Sequence, residues 1–185
     1  MKVSDSQNAS QGNLDFNQSP VIKSIPESII SNKDNNRMEF SVFNYPSVRL
    51  PFTFHSSKEV YESMKEYQKS DREMFLILFL DSKNNVLNIE PHTIGTIDSC
   101  AVYPREVFKS ALLNSANSII CVHHHPSGDS EPSESDRQLT KELVLGGKFL
   151  GIKVLDHIIL GKNQYFSFAD IGLMEEYESS LIEYK

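Results

Sequence analysis

The chain has 185 residues, an apolar fraction of 39% and a formal net charge of −7. That length and apolar content suit one ordinary domain with a core, plus some excess chain. The acidic balance, without any lysine- or arginine-rich block, speaks against a general nucleic-acid surface, which needs clustered positive charge.

Residues 1–50 are rich in Ser, Asn, Gln and Asp over most of their length, with one apolar patch at 21–30 split by Pro26, and read as a flexible tail. They contain no hydrophobic signal core, and no stretch of the chain approaches the roughly 20 apolar residues of a membrane span, so a cytoplasmic protein without membrane contact is expected. Ser56 or Ser57 can cap a helix that runs to about residue 68 with Val60, Tyr61, Met64 and Tyr67 on one stripe. Residues 73–81 form a continuous apolar run of strand length, the pattern of a strand buried on both faces. A turn at 82–85 leads to a returning strand at 86–90, and residues 92–102 read as a further short strand. Pro104 opens a helix with Val107, Phe108, Ala111 and Leu112 as its buried stripe. A strand at 118–124 follows, then a helix from about Ser133 that carries Leu139, Leu143 and Val144 and is stopped by Gly146 and Gly147. Strands at 152–160 and 164–168 flank a turn at 161–163, and an acidic amphipathic helix with Ile171, Met174, Tyr177 and Leu181 closes the chain. Cys100 and Cys121 lie in apolar stretches and read as small buried hydrophobes, not as a disulfide framework. Strands interrupted by single helices predict an α/β fold, a mixed sheet with helices on both faces.

The chemistry concentrates at residues 121–136. In an extended segment alternate side chains share a face, so His123 and His125 point one way and His124 the other, toward a structural or solvent-exposed place. Asp136, eleven residues after His125, would bring a carboxylate to the same point and complete a three-ligand metal site of the kind that leaves a position open for water. Ser133 and Asp136 also have a purely structural reading as a capping box at a helix start. A hydrolytic site needs a base, and Glu73 at the start of the most buried strand and Glu90 at the end of the hairpin are the candidates. His157 reads as a core or supporting residue, and Asp129 and Glu131 as solvated loop charges.

His123-x-His125-Pro126-x-Gly128 followed by Ser133-x-x-Asp136 resembles the JAMM motif of the JAB/MPN metalloproteases. The fuller run from His123 to Asp129 with Pro132 and Ser133 is similar to the RadC family within that group, as are 79–81, Gly95-Thr96, 102–107, 155–157 and 167–170. The resemblance covers about residues 56–174. It implies a JAB/MPN-like, cytidine-deaminase-like domain with a mixed curved sheet, here bounded at 51–175, and leaves 176–185 as an acidic helical extension. It also implies Zn2+ held by His123, His125 and Asp136, Glu73 as the group that takes a proton from a metal-activated water, and Ser133 as a donor to the oxyanion. The implied activity is cleavage of an amide, peptide or isopeptide bond in a protein or peptide substrate.

Two departures stand out. RadC relatives commonly have Asn, and JAMM proteases Ser or Thr, where this chain has His124. Longer RadC relatives carry an N-terminal helix-hairpin-helix module, and residues 1–50 show no such helical pairs, which weakens the association with nucleic acid that comes with the family. A metal-stabilised interaction module or a DNA-repair-associated factor without peptidase activity are the alternatives.

Overall fold

The computed structural model describes residues 53–95 and 102–180. The expected tail, Cys100, Leu181 and much of the expected strand at 92–102 lie outside the described residues. Helix α1 (Ser57–Met64) starts at Ser56, whose side chain accepts the Glu59 amide, and continues as a 3-10 turn over Lys65–Lys69. Then follow β1 (Met74–Leu80), β2 (Val86–Ile94), α2 (Pro104–Leu113), β3 (Ser118–His124), α3 (Glu134–Leu150), β4 (Lys153–Gly161), β5 (Gln164–Ser167) and α4 (Leu173–Ser179).

The strands form one mixed sheet in the order β2-β1-β3-β4-β5, with only the β3–β4 pair parallel. The helix α3 lies between those two strands in sequence, as a parallel crossover requires. The central strands β1 and β3 are buried at every residue, which is why β1 is continuously apolar and β3 is apolar through its middle, from Ile119 to Val122. Side chains nevertheless alternate between two cores. Phe75, Ile77, Phe79, Ile119 and Cys121 pack with Val107, Phe108, Leu143 and Val144 of α2 and α3. Leu76, Leu78, Leu80, Ile120 and Val122 pack with Val60 and Met64 of α1. Helices thus cover both faces of the sheet, as the sequence predicts.

Three boundaries and one buried position depart from expectation. The strand expected to end at Glu90 runs on to Ile94, because β2 is an edge strand, where Pro91 need not donate to a ladder, and irregularities in the β1–β2 register absorb the mismatch. Leu112 does not join the buried stripe of α2 but is 60% exposed. Gly146 and Gly147 do not stop α3, which runs to Leu150 and ends at Gly151 with φ +68°. Their lack of a side chain serves packing instead: a Cβ on Gly146 would come within 2.9 Å of the Phe108 ring, and one on Gly147 within 2.3 Å of the Ile152 carbonyl. The last helix begins only after Gly172, at φ +78°, and leaves Ile171 exposed. Among the described residues no helix is long and apolar enough to cross a membrane.

Candidate metal centre

The register of the β1–β3 pair gathers the site. Met74 pairs with His124 and Phe75 with His123, so one step further along the same antiparallel register sets Glu73 beside His125. Side chains opposite one another in such a pair share a face. A residue fifty positions upstream is thereby brought to the histidine turn, and the Glu73 Oε1 to His123 Nε2 distance is 2.6 Å.

The turn itself is built by local contacts. The His125 amide donates to the Leu160 carbonyl and the Gly128 amide to the His125 carbonyl. Gly128 has φ +83°, a conformation open to glycine, and its carbonyl accepts the Lys162 amide at 2.7 Å. The chain then enters α3 through a complete capping box: the Ser133 hydroxyl accepts the Asp136 amide, and Asp136 accepts the Ser133 amide. The Ser133 hydroxyl also donates to Asp136 Oδ2. Asp136 is buried, and its other oxygen lies 2.8 Å from His123 Nδ1.

His123 is therefore bracketed by a carboxylate at each ring nitrogen. Burial alone would push its imidazole down, but Asp136 and Glu73 outweigh that and raise it to about 9. Burial acts on Asp136 in the opposite direction, and there His123, His125 and Ser133 prevail and hold the carboxyl well below the usual range. His125 sits 4.7 Å from His123 between ring centroids and is nearly perpendicular to it. Its Nδ1 faces the Asp129 carbonyl at 2.9 Å; a carbonyl only accepts, so Nδ1 donates this bond and Nε2 is the nitrogen turned toward Asp136. That Nε2 lies 3.5 Å from Asp136 Oδ2. Metal-binding histidines characteristically donate their other N–H to a carbonyl or carboxylate, which is the arrangement of both His125 and His123.

One donor atom each from Glu73, His123 and His125 lie within 4.8 Å of one another. This nitrogen and carboxylate set matches the ligand chemistry of a zinc site with bonds of about 2.0–2.2 Å. All five residues singled out in the sequence, Glu73, His123, His125, Ser133 and Asp136, meet at one end of the sheet. Ser133 is exposed at the mouth, while Glu73 and His125 are mostly covered, with side chains 18% and 16% exposed. Glu90 does not join them. It lies on β2 and accepts from Ser110, beside His92.

Two further residues support the site. His124 is buried on the other face, with Nδ1 3.1 Å from the Arg72 carbonyl; of the two places expected for it, the structural one is found. His157 is wholly buried, stacked at 7° on Phe168 and nearly parallel to His123. Its Nδ1 contacts the Thr140 hydroxyl at 2.7 Å, and Thr140 donates in turn to the Asp136 carbonyl. The i,i+4 spacing on the helix ties Thr140 to Asp136, but nothing in local spacing foretells its contact with His157 on β4. Asp156, next to His157, accepts from Ser167 and the Ala169 amide, so the segments 155–157 and 167–170 tie β4 and β5 together.

A five-stranded mixed sheet covered by helices on both faces, with a histidine and carboxylate cluster at one end, defines a JAB-type α/β domain. The chain belongs to the RadC family: the RadC-like JAB domain profile matches residues 54–173, more than half of its length. It is 48% identical over 121 residues to a UPF0758 protein of Methanosarcina mazei, covering 65% of this chain and 53% of the relative. A UPF0758 protein of Desulforamulus reducens is 50% identical over 111 residues, 60% of this chain and 49% of the relative. One from Chlorobaculum tepidum is 45% identical over 119 residues, 64% and 54% of the two chains. The chain thus spans about half the length of the curated relatives it matches.

Proposed function

We propose that the protein is a zinc-dependent hydrolase of the cytoplasm that cleaves an amide, peptide or isopeptide bond in a protein or peptide substrate. The observation that carries this reading is the convergence of two imidazoles and two carboxylates at one partly covered point, with Nε2 of His125 facing it. In this reading His123, His125 and Asp136 hold the ion. A divalent ion there would acidify a water molecule, the chemistry such ions supply in hydrolases.

The chain's own groups account for the remaining steps. Glu73 sits beside His123 with its carboxylate reaching Nε2, in position to take a proton from an attacking water and return it to a leaving amine. Asp136 is held by the helix cap and by Ser133, so its carboxylate needs little reordering to bind a cation. Ser133 can donate to a developing oxyanion by turning its hydroxyl from Asp136 Oδ2 toward the exposed mouth. Capping and catalysis would then share one side chain.

A second assignment follows from the donor trio Glu73, His123 and His125, whose ligand atoms lie within 4.8 Å of one another. There Glu73 would be the ligand, and Asp136 would orient His123 through Nδ1. The two are separated by metal content. Glu73→Gln should keep about one equivalent of zinc and lose cleavage of a proteome-derived peptide library read by mass spectrometry, whereas Asp136→Asn should lose the metal. Loss of zinc in Glu73→Gln with retention in Asp136→Asn would establish the second assignment. A wild-type protein that binds zinc yet yields no new peptide termini would favour the metal-stabilised interaction module. A role with DNA would be favoured by a salt-dependent shift of DNA by the protein.

A further inference from the structure

Glu73 lies outside the sheet: β1 starts at Met74, and residues 71–72 form a bend. A carboxylate on such a segment is only as well placed as the backbone beneath it, and a misplacement of about 1 Å can cost two orders of magnitude in rate. Three hydrogen bonds fix that backbone. The Glu73 carbonyl accepts the Gly95 amide at 2.9 Å, beyond the end of β2. The preceding carbonyl, of Arg72, accepts from Ser70 Oγ and from His124 Nδ1, each at 3.1 Å.

We infer that His124 is a positioning residue for Glu73. It is 2% exposed and turned away from His123 and His125, so it is not placed to share a metal with them. Its ring instead reaches across the β1–β3 pair, where His124 and Met74 are partners, to the peptide unit that precedes Glu73. A carbonyl can only accept, so the His124 proton resides on Nδ1. Asparagine carries its amide nitrogen one bond from Cγ, as histidine carries Nδ1, and can give the same hydrogen bond. Leucine fills much of the same volume without a donor. The position thus demands a donor at that atom, not an imidazole as such.

The inference concerns the backbone under Glu73 and extends the hydrolase reading; a test that does not require turnover separates the two. Nitrogen-15 NMR of the metal-free 185-residue chain should show a proton on His124 Nδ1, and a ring protonated only on Nε2 would overturn the inference whatever the variants do. Amide exchange at Gly95, bonded to the Glu73 carbonyl, should be about ten-fold faster in His124→Leu and within about two-fold of wild type in His124→Asn. Equal exchange in wild type and His124→Leu, or equally fast exchange in both variants, would also overturn it. With a cleavable peptide in hand, His124→Leu should lower kcat about ten-fold at unchanged KM and zinc content, with His124→Asn restoring it. If the exchange pattern holds while wild type cleaves nothing, the hydrolase reading falls and the positioning role stands.

Discussion

Binding of zinc to the metal-free protein should release a proton, and His123 sets how the affinity depends on pH. With Asp136 and Glu73 at its two nitrogens, this imidazole keeps its proton up to about 9, against an ordinary value of 6.5. A metal ion and a proton compete for the same lone pair. At pH 7, two units below that value, only about one molecule in 100 has the ring free, so zinc affinity should be about 100-fold weaker than for a fully deprotonated ring, about 2.7 kcal/mol. Between pH 6.5 and 8.5 the affinity should climb about ten-fold per unit. The same shift makes a stability statement with a definite sign. A histidine whose folded value lies above its unfolded one stabilises the fold below 6.5, and that contribution fades as pH rises through 9. Zinc titration by calorimetry in two buffers of different ionisation enthalpy counts the protons directly. Release of about one proton at pH 7, falling in Glu73→Gln, is expected. Zero release at pH 7 with a pH-independent affinity would refute the carboxylate bracket.

Other consequences are simpler to read. Gly147→Ala should destabilise the fold by about 1–3 kcal/mol in urea melts despite alanine's better helix propensity, because the new methyl meets the Ile152 carbonyl; an unchanged or raised midpoint would contradict the packing account. Ser133→Ala removes the acceptor of the Asp136 amide and should cost about 1 kcal/mol, while zinc content stays at one equivalent. Burial holds His157 neutral down to about pH 3, so as pH falls below 6.5 the unfolded chain takes a proton that the fold refuses and stability declines. Between pH 6.5 and 5 this should cost wild type up to about 2 kcal/mol more than His157→Phe, and parallel pH profiles for the two would show that His157 does not carry the effect.

The sequence disclosed those features whose causes are local. The run 74–80 announced a strand covered on both faces, and Leu76 and Phe75 do face different cores. Ser133 and Asp136 are three residues apart on one helix turn, so their capping box was readable from spacing alone. Other features depend on what lies across the fold. Gly146 and Gly147 look like a helix stop, yet they exist to let Phe108 and Ile152 approach α3. Pro91 looks like the end of a strand, but on an edge its missing N–H costs little. Glu73 could be nominated from the sequence only by resemblance or as one of two candidates. The β1–β3 register separates it from Glu90, and that register also creates the bond from His124 to the Arg72 carbonyl. No periodicity within either strand encodes that pairing.

The central claim is a single metal held by the imidazoles at the sheet end with carboxylate help. A crystal structure of zinc-loaded protein with anomalous data at the zinc edge tests it most directly. One peak about 2.0–2.2 Å from a nitrogen of His123, a nitrogen of His125 and an oxygen of Asp136, with Glu73 beside it but not bonded, is the predicted result. No peak at these residues, or one elsewhere on the molecule, would contradict the account.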